Sequence, residues 1–247
     1  MQRGVLLAVD KEQEWLLSWW WESYRRTNTL PVAIIDLGMS DQARAWCHSR
    51  LKVITATLDA GKIKDRAECL QDVASRWEQS YGSSVWKARQ AWFRKPSSML
   101  ETPFQTTLWL DLDCEVLGPL DPIFSTLPDG ADFGIVREPL VKQGDPTLLI
   151  GEVVYNSGVI LYKKDAPILK RWAEESSKNS ERFMGDQCVL SRIIFSEKIP
   201  IFELPEICNV QPSSGVIHGA LIVHWVGAWG KEFIRKHGGL TRILNTL

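Results

Sequence analysis

The chain has 247 residues, of which 45% are hydrophobic and 24% are charged, an ordinary balance for a globular protein built on one large α/β unit. Its formal net charge is −1, so the composition gives no reason to expect nucleic acid as a partner. Local basic groups remain available for a small anionic ligand.

The cysteines and the apolar segments indicate the cellular compartment expected for the protein. There are five cysteines, and none of them forms a CxxC pair. This pattern favours reduced thiols in a cytoplasmic protein over a disulfide framework or a zinc site. The first apolar run is short and acidic residues follow at once, which is unlike a signal peptide. No window approaches the roughly 18 apolar residues of a membrane span, so we expect no transmembrane segment.

Short apolar runs alternate with helical periodicity through the first 110 residues. Such runs indicate buried parallel strands, and apolar residues three and four apart indicate helices. We predict strands at 4–9, 31–36, 51–55 and 107–112, and helices at 12–26, 40–50, 63–81 and 85–94. Ser40 should cap the second helix and Gly82 should end the third.

The second half of the chain is predicted to be mixed. We expect strands at 131–136, 155–162, 199–204 and 220–225, and helices at 165–178, 185–195 and from 233 onward, with Asp165 capping the first of these. The whole pattern predicts an α/β fold with a Rossmann-like, mostly parallel sheet and a mixed C-terminal half. We find no repeat or linker, so we expect one domain over residues 1–247. Ligands should bind beyond the carboxyl ends of the strands, where Asp10, Asp111 and Asp113 lie.

Tryptophan is frequent, with 12 copies. Trp15 and the run Trp19-Trp20-Trp21 have helical spacing, which predicts a broad buried helix face. A membrane-surface anchor and a platform for stacking sugars are the alternatives, so a peripheral membrane contact stays open.

The strongest chemical signal is the apolar strand that ends in Asp111-Leu112-Asp113. Residues two apart point to the same side of a strand, and two carboxylates so placed repel each other unless a positive charge lies between them. A divalent cation that prefers oxygen ligands, such as Mn²⁺ or Mg²⁺, fits there. The alternative is an acidic pair on a solvated loop.

Three later segments place polar groups near the ends of predicted elements. They are YNSGV at 155–159, GDQ at 185–187 and IVHWVG at 222–227. Each has a purely structural explanation: a turn at Asn156, a helix cap at Asp186 and a satisfied buried imidazole at His224.

In this order, the segments resemble the GT-A superfamily of glycosyltransferases. The likeness is greatest to the retaining family 8 enzymes, the glycogenin and bacterial galactosyltransferase group, and it runs from residue 5 to about 236. The stretch 95–116 is also similar to α-mannosyltransferase-like enzymes. Two departures stand out. Lys231 lies one place later than the family's lysine, and Glu12 stands where an asparagine usually follows the position of Asp10.

The resemblance implies a hexosyltransferase dependent on Mn²⁺ or Mg²⁺. It would move a sugar from a nucleotide-diphosphate sugar to a carbohydrate or other hydroxyl acceptor, with retention. The implied metal ligands are Asp111, Asp113 and His224. The implied residues around the transferred sugar are Asn156, Asp186 and Gln187. Donor contacts are implied for Asp10, Arg94, Lys95, Asp111, Gly227 and Lys231. Loops such as 140–152 should shape donor specificity. A cation at the Asp-x-Asp pair would stabilise a leaving diphosphate whatever the family.

Three other functions compete with this interpretation. A haloacid-dehalogenase-type phosphatase also begins from a strand and Asp-x-Asp, but Glu115 stands where threonine or valine is usual and the motif lies mid-chain. A nucleotidyltransferase would need a glycine-rich loop after the first strand, which the residues after Val9 do not provide. A GT-A-like domain kept only for binding or as a scaffold is the third.

Overall fold

Strands make up the centre of the molecule, which is described by a computed structural model over residues 2–57, 61–139, 147–215 and 218–244. The part of loop 140–152 that covers 140–146 lies outside these ranges. The described residues form nine strands: β1 Arg3–Val9, β2 Val32–Asp36, β3 Lys52–Thr55, β4 Thr106–Leu110, β5 Cys114–Val116, β6 Phe133–Arg137, β7 Tyr155–Lys163, β8 Phe202–Glu203 and β9 Ile222–His224.

Seven of the strands form one sheet in the order β3-β2-β1-β4-β7-β6-β8. The strands β1 to β4 pair in parallel, whereas β7 runs antiparallel to both β4 and β6. This confirms the predicted α/β class with a mostly parallel sheet and a mixed second half. The strands β5 and β9 form a separate antiparallel pair, in which Cys114 lies opposite His224.

Helices cover both faces of the sheet. They are α1 Leu17–Arg25, α2 Asp41–His48, α3 Gln71–Tyr81, α4 Val85–Trp92, α5 Lys95–Leu100, α6 Pro167–Lys178, α7 Asp186–Glu197, α8 Gly227–His237 and α9 Gly239–Leu244. Alternate residues of β1 enter different cores. Leu7 belongs to the core that includes residues of α1, α2 and α8, and Leu6 belongs to the core that includes residues of α3 to α7. Within the described ranges no helix has the length and apolar character that crossing a bilayer would need.

The tryptophan-rich helix buries one face. Trp20 is fully buried against the core, and Trp15, Trp19 and Trp21 are partly buried beside it. The predicted buried helix face is therefore confirmed for Trp20. Ser40 also caps α2 as predicted, because its side chain accepts a hydrogen bond from the Ala43 amide.

Several predicted boundaries were wrong. The helix expected from 63 begins only at Gln71. Before it, Asp65 and Glu68 form a capping box that closes a separate 3-10 turn. The strand expected to reach 112 ends at Leu110, because the chain turns at Asp111, whose carbonyl accepts from the Cys114 amide at 3.0 Å.

Two helix starts also differ from the prediction. The Asp165 side chain does not cap α6; Ala166 holds the cap position without a side-chain bond, and Pro167 begins the helix. The last helical region begins at Gly227 rather than at 233. Gly227 has a φ of +77°, which lets the chain turn out of β9 directly into a helix.

A buried arginine positions the segment that leads into α7. Arg89 is fully buried, and its guanidinium donates to the carbonyls of Ser180 at 2.8 Å, Met184 at 2.7 Å and Phe183. It also lies 4.6 Å from the ring centre of Trp77. Burial lowers the pKa of Arg89 to about 10, so the charge survives at neutral pH. These bonds place the chain just before Asp186.

We expect Arg89→Met to destabilise the protein by about 3 kcal/mol or more, because hydrogen bonds from a charged donor are lost and buried carbonyls are left unpaired. The free energy of unfolding from urea titrations, followed by tryptophan fluorescence, measures this. Arg76→Met is the control, since Arg76 on α3 is exposed and, among the residues that the structure describes, bonds to Asp72 of its own helix. Equal effects of the two substitutions would contradict the role of Arg89.

Candidate functional site

Three segments converge at the carboxyl edge of β4. Because β7 is antiparallel to β4, its first residues lie beside the end of β4, and Leu110 pairs with Val159. The amide of Asp111 then donates to the carbonyl of Gly158 at 2.8 Å. The chain continues from Asp111 into β5, whose partner β9 ends in His224. The reversed strand and the small second sheet therefore bring the Asp-x-Asp, Asn-Ser-Gly and histidine segments together.

The three predicted metal ligands are close to one another. Nε2 of His224 lies 3.3 Å from Oδ1 of Asp113 and 4.0 Å from Oδ2 of Asp111. Asp113 and His224 are buried, whereas about a quarter of the Asp111 side chain is exposed. Carboxylate oxygens and an imidazole nitrogen are donors that divalent cations accept, so the three side chains are chemically compatible with a metal ion.

Cys114 joins this cluster, although the sequence did not single it out. Ligand atoms of Asp113, Cys114 and His224 all lie within 4.8 Å of one another. The thiol is fully buried and donates to the Gly158 carbonyl at 3.6 Å, and burial holds its pKa well above the usual range. It therefore faces the site as a neutral thiol.

Lys95 holds the first aspartate. Its Nζ donates to Oδ2 of Asp111 at 2.8 Å and to Oγ of Ser157 at 3.0 Å, and lies 3.5 Å from Asp186. Burial by itself would lower the pKa of Lys95, but the charges of Asp111 and Asp186 outweigh it and raise the pKa above its ordinary value. Lys95 is thus a fixed cation between two carboxylates.

Lys231 holds the second aspartate. Its Nζ donates to Oδ2 of Asp113 at 2.5 Å, a short, charge-assisted bond. Burial alone would raise the pKa of Asp113, but the ammonium group of Lys231 and the contact with the His224 ring lower it far more. Each aspartate of the motif therefore has its own ammonium group. Despite its shifted place in the sequence, Lys231 reaches this cluster.

Asp186 lies at the start of α7, where the helix dipole would by itself lower the pKa of a carboxyl group. Instead, its carboxyl is buried and accepts from Oγ of Ser157 at 2.8 Å, and burial raises its pKa, partly offset by Lys95. The alternative that Asp186 serves only as a helix cap was wrong, because Gly185 holds the cap position of α7 and no side chain caps the helix. Ser157, which was not among the predicted site residues, links Asp186 to Lys95 through its hydroxyl.

The remaining predicted residues surround this centre. Asp10 follows β1 and accepts from the amides of Glu12 and Gln13 at 3.0 Å each, which stabilises the local turn. Arg94 donates to the Leu37 carbonyl, just beyond β2, at 3.1 Å. The structure thus places Asp10 and Arg94 at the carboxyl edges of β1 and β2.

Three more predicted residues lie at helix starts or at the beginning of β7. Gln187 is half-buried in the first turn of α7, and Gly227 is exposed at the start of α8. Asn156 is buried, and both atoms of its amide bond to protein groups. The contacts of all these residues with a sugar or nucleotide stay predictions.

The comparisons with known proteins concern the fold. No protein-family model and no curated protein matches the chain. A solved structure of the galactosyltransferase LgtC with donor and acceptor sugar analogs superposes with a TM-score of 0.61 at 16% identity, covering 94% of each chain. Mouse xyloside xylosyltransferase 1 gives 0.53 at 18% identity, covering 91% of this chain and 97% of the other. The glycosyltransferase GlyE of Streptococcus pneumoniae gives 0.60 at 17% identity, covering 92% of this chain and 55% of its own.

These likenesses extend over nearly the whole chain and agree with the strand order and the reversed β7 described above. At identities of this size they concern the fold, and the predicted resemblance is confirmed at that level. The chain has the GT-A glycosyltransferase fold, of the kind seen in the galactosyltransferase LgtC.

Proposed function

We propose that the chain is a glycosyltransferase that moves a sugar from a nucleotide-diphosphate sugar to a hydroxyl acceptor. The observation that carries the proposal is the cluster of Asp111, Asp113 and His224 at the carboxyl edge of a GT-A sheet, with Lys95 and Lys231 beside it. Ligands of open α/β sheets bind at this edge. The three clustered side chains would hold Mn²⁺ or Mg²⁺.

The charges of the cluster suit a diphosphate. A bound divalent ion would act as a Lewis acid on the leaving diphosphate. Lys231 supplies an ammonium group beside Asp113. The first backbone N–H groups of α8, which begins at Gly227, have no partner within the helix and could donate to phosphate oxygens. Lys95 is buried between Asp111 and Asp186 and holds both carboxylates in place. Asp10 and Arg94 would contact the nucleoside at the neighbouring strand ends.

Retention is the stereochemical outcome we propose. An inverting enzyme needs a carboxylate that can reach the acceptor hydroxyl and take its proton. Asp186 is the carboxylate that the resemblance brings nearest the sugar, yet it is buried and bonded to Ser157 and Lys95. It is better suited to stabilise positive charge on the sugar, together with Gln187, the next residue of α7.

A non-catalytic binding protein is the alternative that one observation favours. Lys231 already bonds to Asp113, so an ammonium group could take the place of the metal and hold a diphosphate without turnover. The haloacid-dehalogenase interpretation loses its basis, because the fold is that of GT-A enzymes. Release of sugar from a nucleotide-sugar in the presence of Mn²⁺ separates the enzyme from the binding protein.

We expect UDP or GDP to bind at least about tenfold more tightly with Mn²⁺ or Mg²⁺ than with EDTA, a difference of about 1.4 kcal/mol. Asp113→Asn should remove this dependence, because it takes away the charge that holds the ion. Isothermal calorimetry measures both affinities. Asp41→Asn, at a fully exposed position on α2, should behave as wild type. Equal affinity of the wild type with metal and with EDTA would count against the proposal.

Lys231→Met should raise the affinity for Mn²⁺ and lower the affinity for the nucleotide. It removes the ammonium that competes for Asp113, so Mn²⁺ alone should bind roughly tenfold more tightly, about 1.4 kcal/mol. In the presence of Mn²⁺ the same variant should bind UDP or GDP more weakly, because a positive charge near the diphosphate is lost. Lys236→Met, on the exposed face of the same helix, is the matched control. Unchanged Mn²⁺ affinity would show that Lys231 does not compete for this site.

An α-linked nucleotide-sugar should yield a product with the α configuration. Proton NMR of the anomeric signal, recorded early during slow hydrolysis or transfer, measures this directly. Asp186→Asn should slow turnover about tenfold or more, some 1.4 kcal/mol of barrier, without changing the configuration. A β product from an α donor would overturn retention.

A further inference from the structure

The imidazole of His224 is held between two side-chain amides. Its Nδ1 lies 3.1 Å from Oδ1 of Asn156 and 3.1 Å from Oδ1 of Asn209. Both asparagines are almost fully buried. The other ring nitrogen, Nε2, faces the aspartates. One ring nitrogen therefore faces neutral amide oxygens, and the other faces carboxylates.

The orientation of the Asn156 amide is determined by its other partners. Its Oδ1 also accepts from the Gly158 amide at 2.9 Å and from Nδ2 of Asn209 at 2.8 Å, and both of these groups can only donate. Its Nδ2 donates to Oε2 of Glu138 at 2.7 Å. If the amide were flipped, its NH2 group would face the N–H of Gly158, and its oxygen would face the carboxylate of Glu138. The atom beside Nδ1 of His224 is thus an oxygen.

Glu138 anchors this arrangement from behind. It is buried just after β6, and its second oxygen accepts from Nε2 of Gln211 at 3.1 Å. Asn209 and Gln211 lie on either side of Val210, whose carbonyl accepts from the His224 amide at 2.8 Å. The segment that carries Asn209 is therefore attached to β9, the strand that carries His224.

The backbone of β7 closes the remaining side of the ring. A Cβ at Gly158 would lie 2.1 Å from Cε1 and 2.4 Å from Nδ1 of His224. No side chain fits between them, so the imidazole packs directly on the main chain at this point.

We propose that Asn209 and Asn156, anchored by Glu138, are positioning residues that hold a proton on Nδ1 of His224 and so leave Nε2 to a cation shared with Asp111 and Asp113. Oxygens face both ring nitrogens, but those near Nε2 belong to carboxylates that could hold a cation, whereas those near Nδ1 belong to neutral amides. When a cation takes the lone pair of Nε2, the ring keeps its proton on Nδ1 and donates it to the amide oxygens. This inference rests on the proposed function for its use of the metal. Such outer partners of a metal-bound histidine fix its tautomer and its ring orientation.

The first test is Mn²⁺ binding to the full-length protein, measured by electron paramagnetic resonance of the free ion. Asn209→Leu keeps the size of the side chain but removes the acceptor, and we expect it to weaken Mn²⁺ binding roughly 10–100-fold. Asn28→Leu is the control: Asn28 is also a buried asparagine with several hydrogen bonds, and these go to residues 24, 27, 118 and 120. Wild-type Mn²⁺ affinity in a folded Asn209→Leu protein would overturn the proposal.

The second test uses the wild-type protein and so does not depend on a variant that folds. Nitrogen NMR of protein labelled at histidine and saturated with Mg²⁺, which unlike Mn²⁺ is diamagnetic, should show a proton on Nδ1 of His224 and none on Nε2. His224→Gln assigns the signal. A proton on Nε2 overturns the positioning proposal by itself. A wild-type protein that binds neither Mn²⁺ nor Mg²⁺ would instead contradict the metal in the proposed function.

Discussion

The buried charges at the end of β4 constrain the rest of the site. Three carboxylates lie together there, and carboxylates removed from water are tolerated only when paired with cations or hydrogen-bond donors. Lys95 lies between Asp111 and Asp186, and Lys231 bonds to Asp113. Removing either lysine would leave a carboxylate poorly compensated. The two ammonium groups therefore hold the site together before any ligand arrives.

The reversed direction of β7 makes this pairing possible. A parallel strand beside β4 would present its carboxyl end at the edge, whereas an antiparallel one presents its first residues, Asn156, Ser157 and Gly158. Ser157 then links Lys95 to Asp186, and Gly158 lets His224 pack on the backbone. The strand β7 thus supports both the Lys95–Asp186 pair and the His224 ring.

The contrast between Asp186 and Asp113 shows how the surroundings set the charge. Both carboxyls are buried, and burial alone raises the pKa of each. The close contact with Lys231 reverses the shift for Asp113, while the more distant Lys95 only reduces it for Asp186. A position at a helix start favours a lowered pKa, but for Asp186 burial outweighs that effect. Position within an element is therefore a weaker guide to charge than the nearest partner.

The sequence by itself determined the alternation of strands and helices, the Asp-x-Asp strand end and the order of the later polar segments. These follow from local periodicity and residue type, which are encoded within a few neighbouring positions. Only the tertiary structure decided that β7 is reversed, that Asn209 and Glu138 reach the site, and which lysine neutralises which aspartate. Lys231 and Asp113 are separated by 118 positions, and Asn209 and Asn156 by 53. Contacts over such distances depend on how the strands pair, and no local pattern records that pairing.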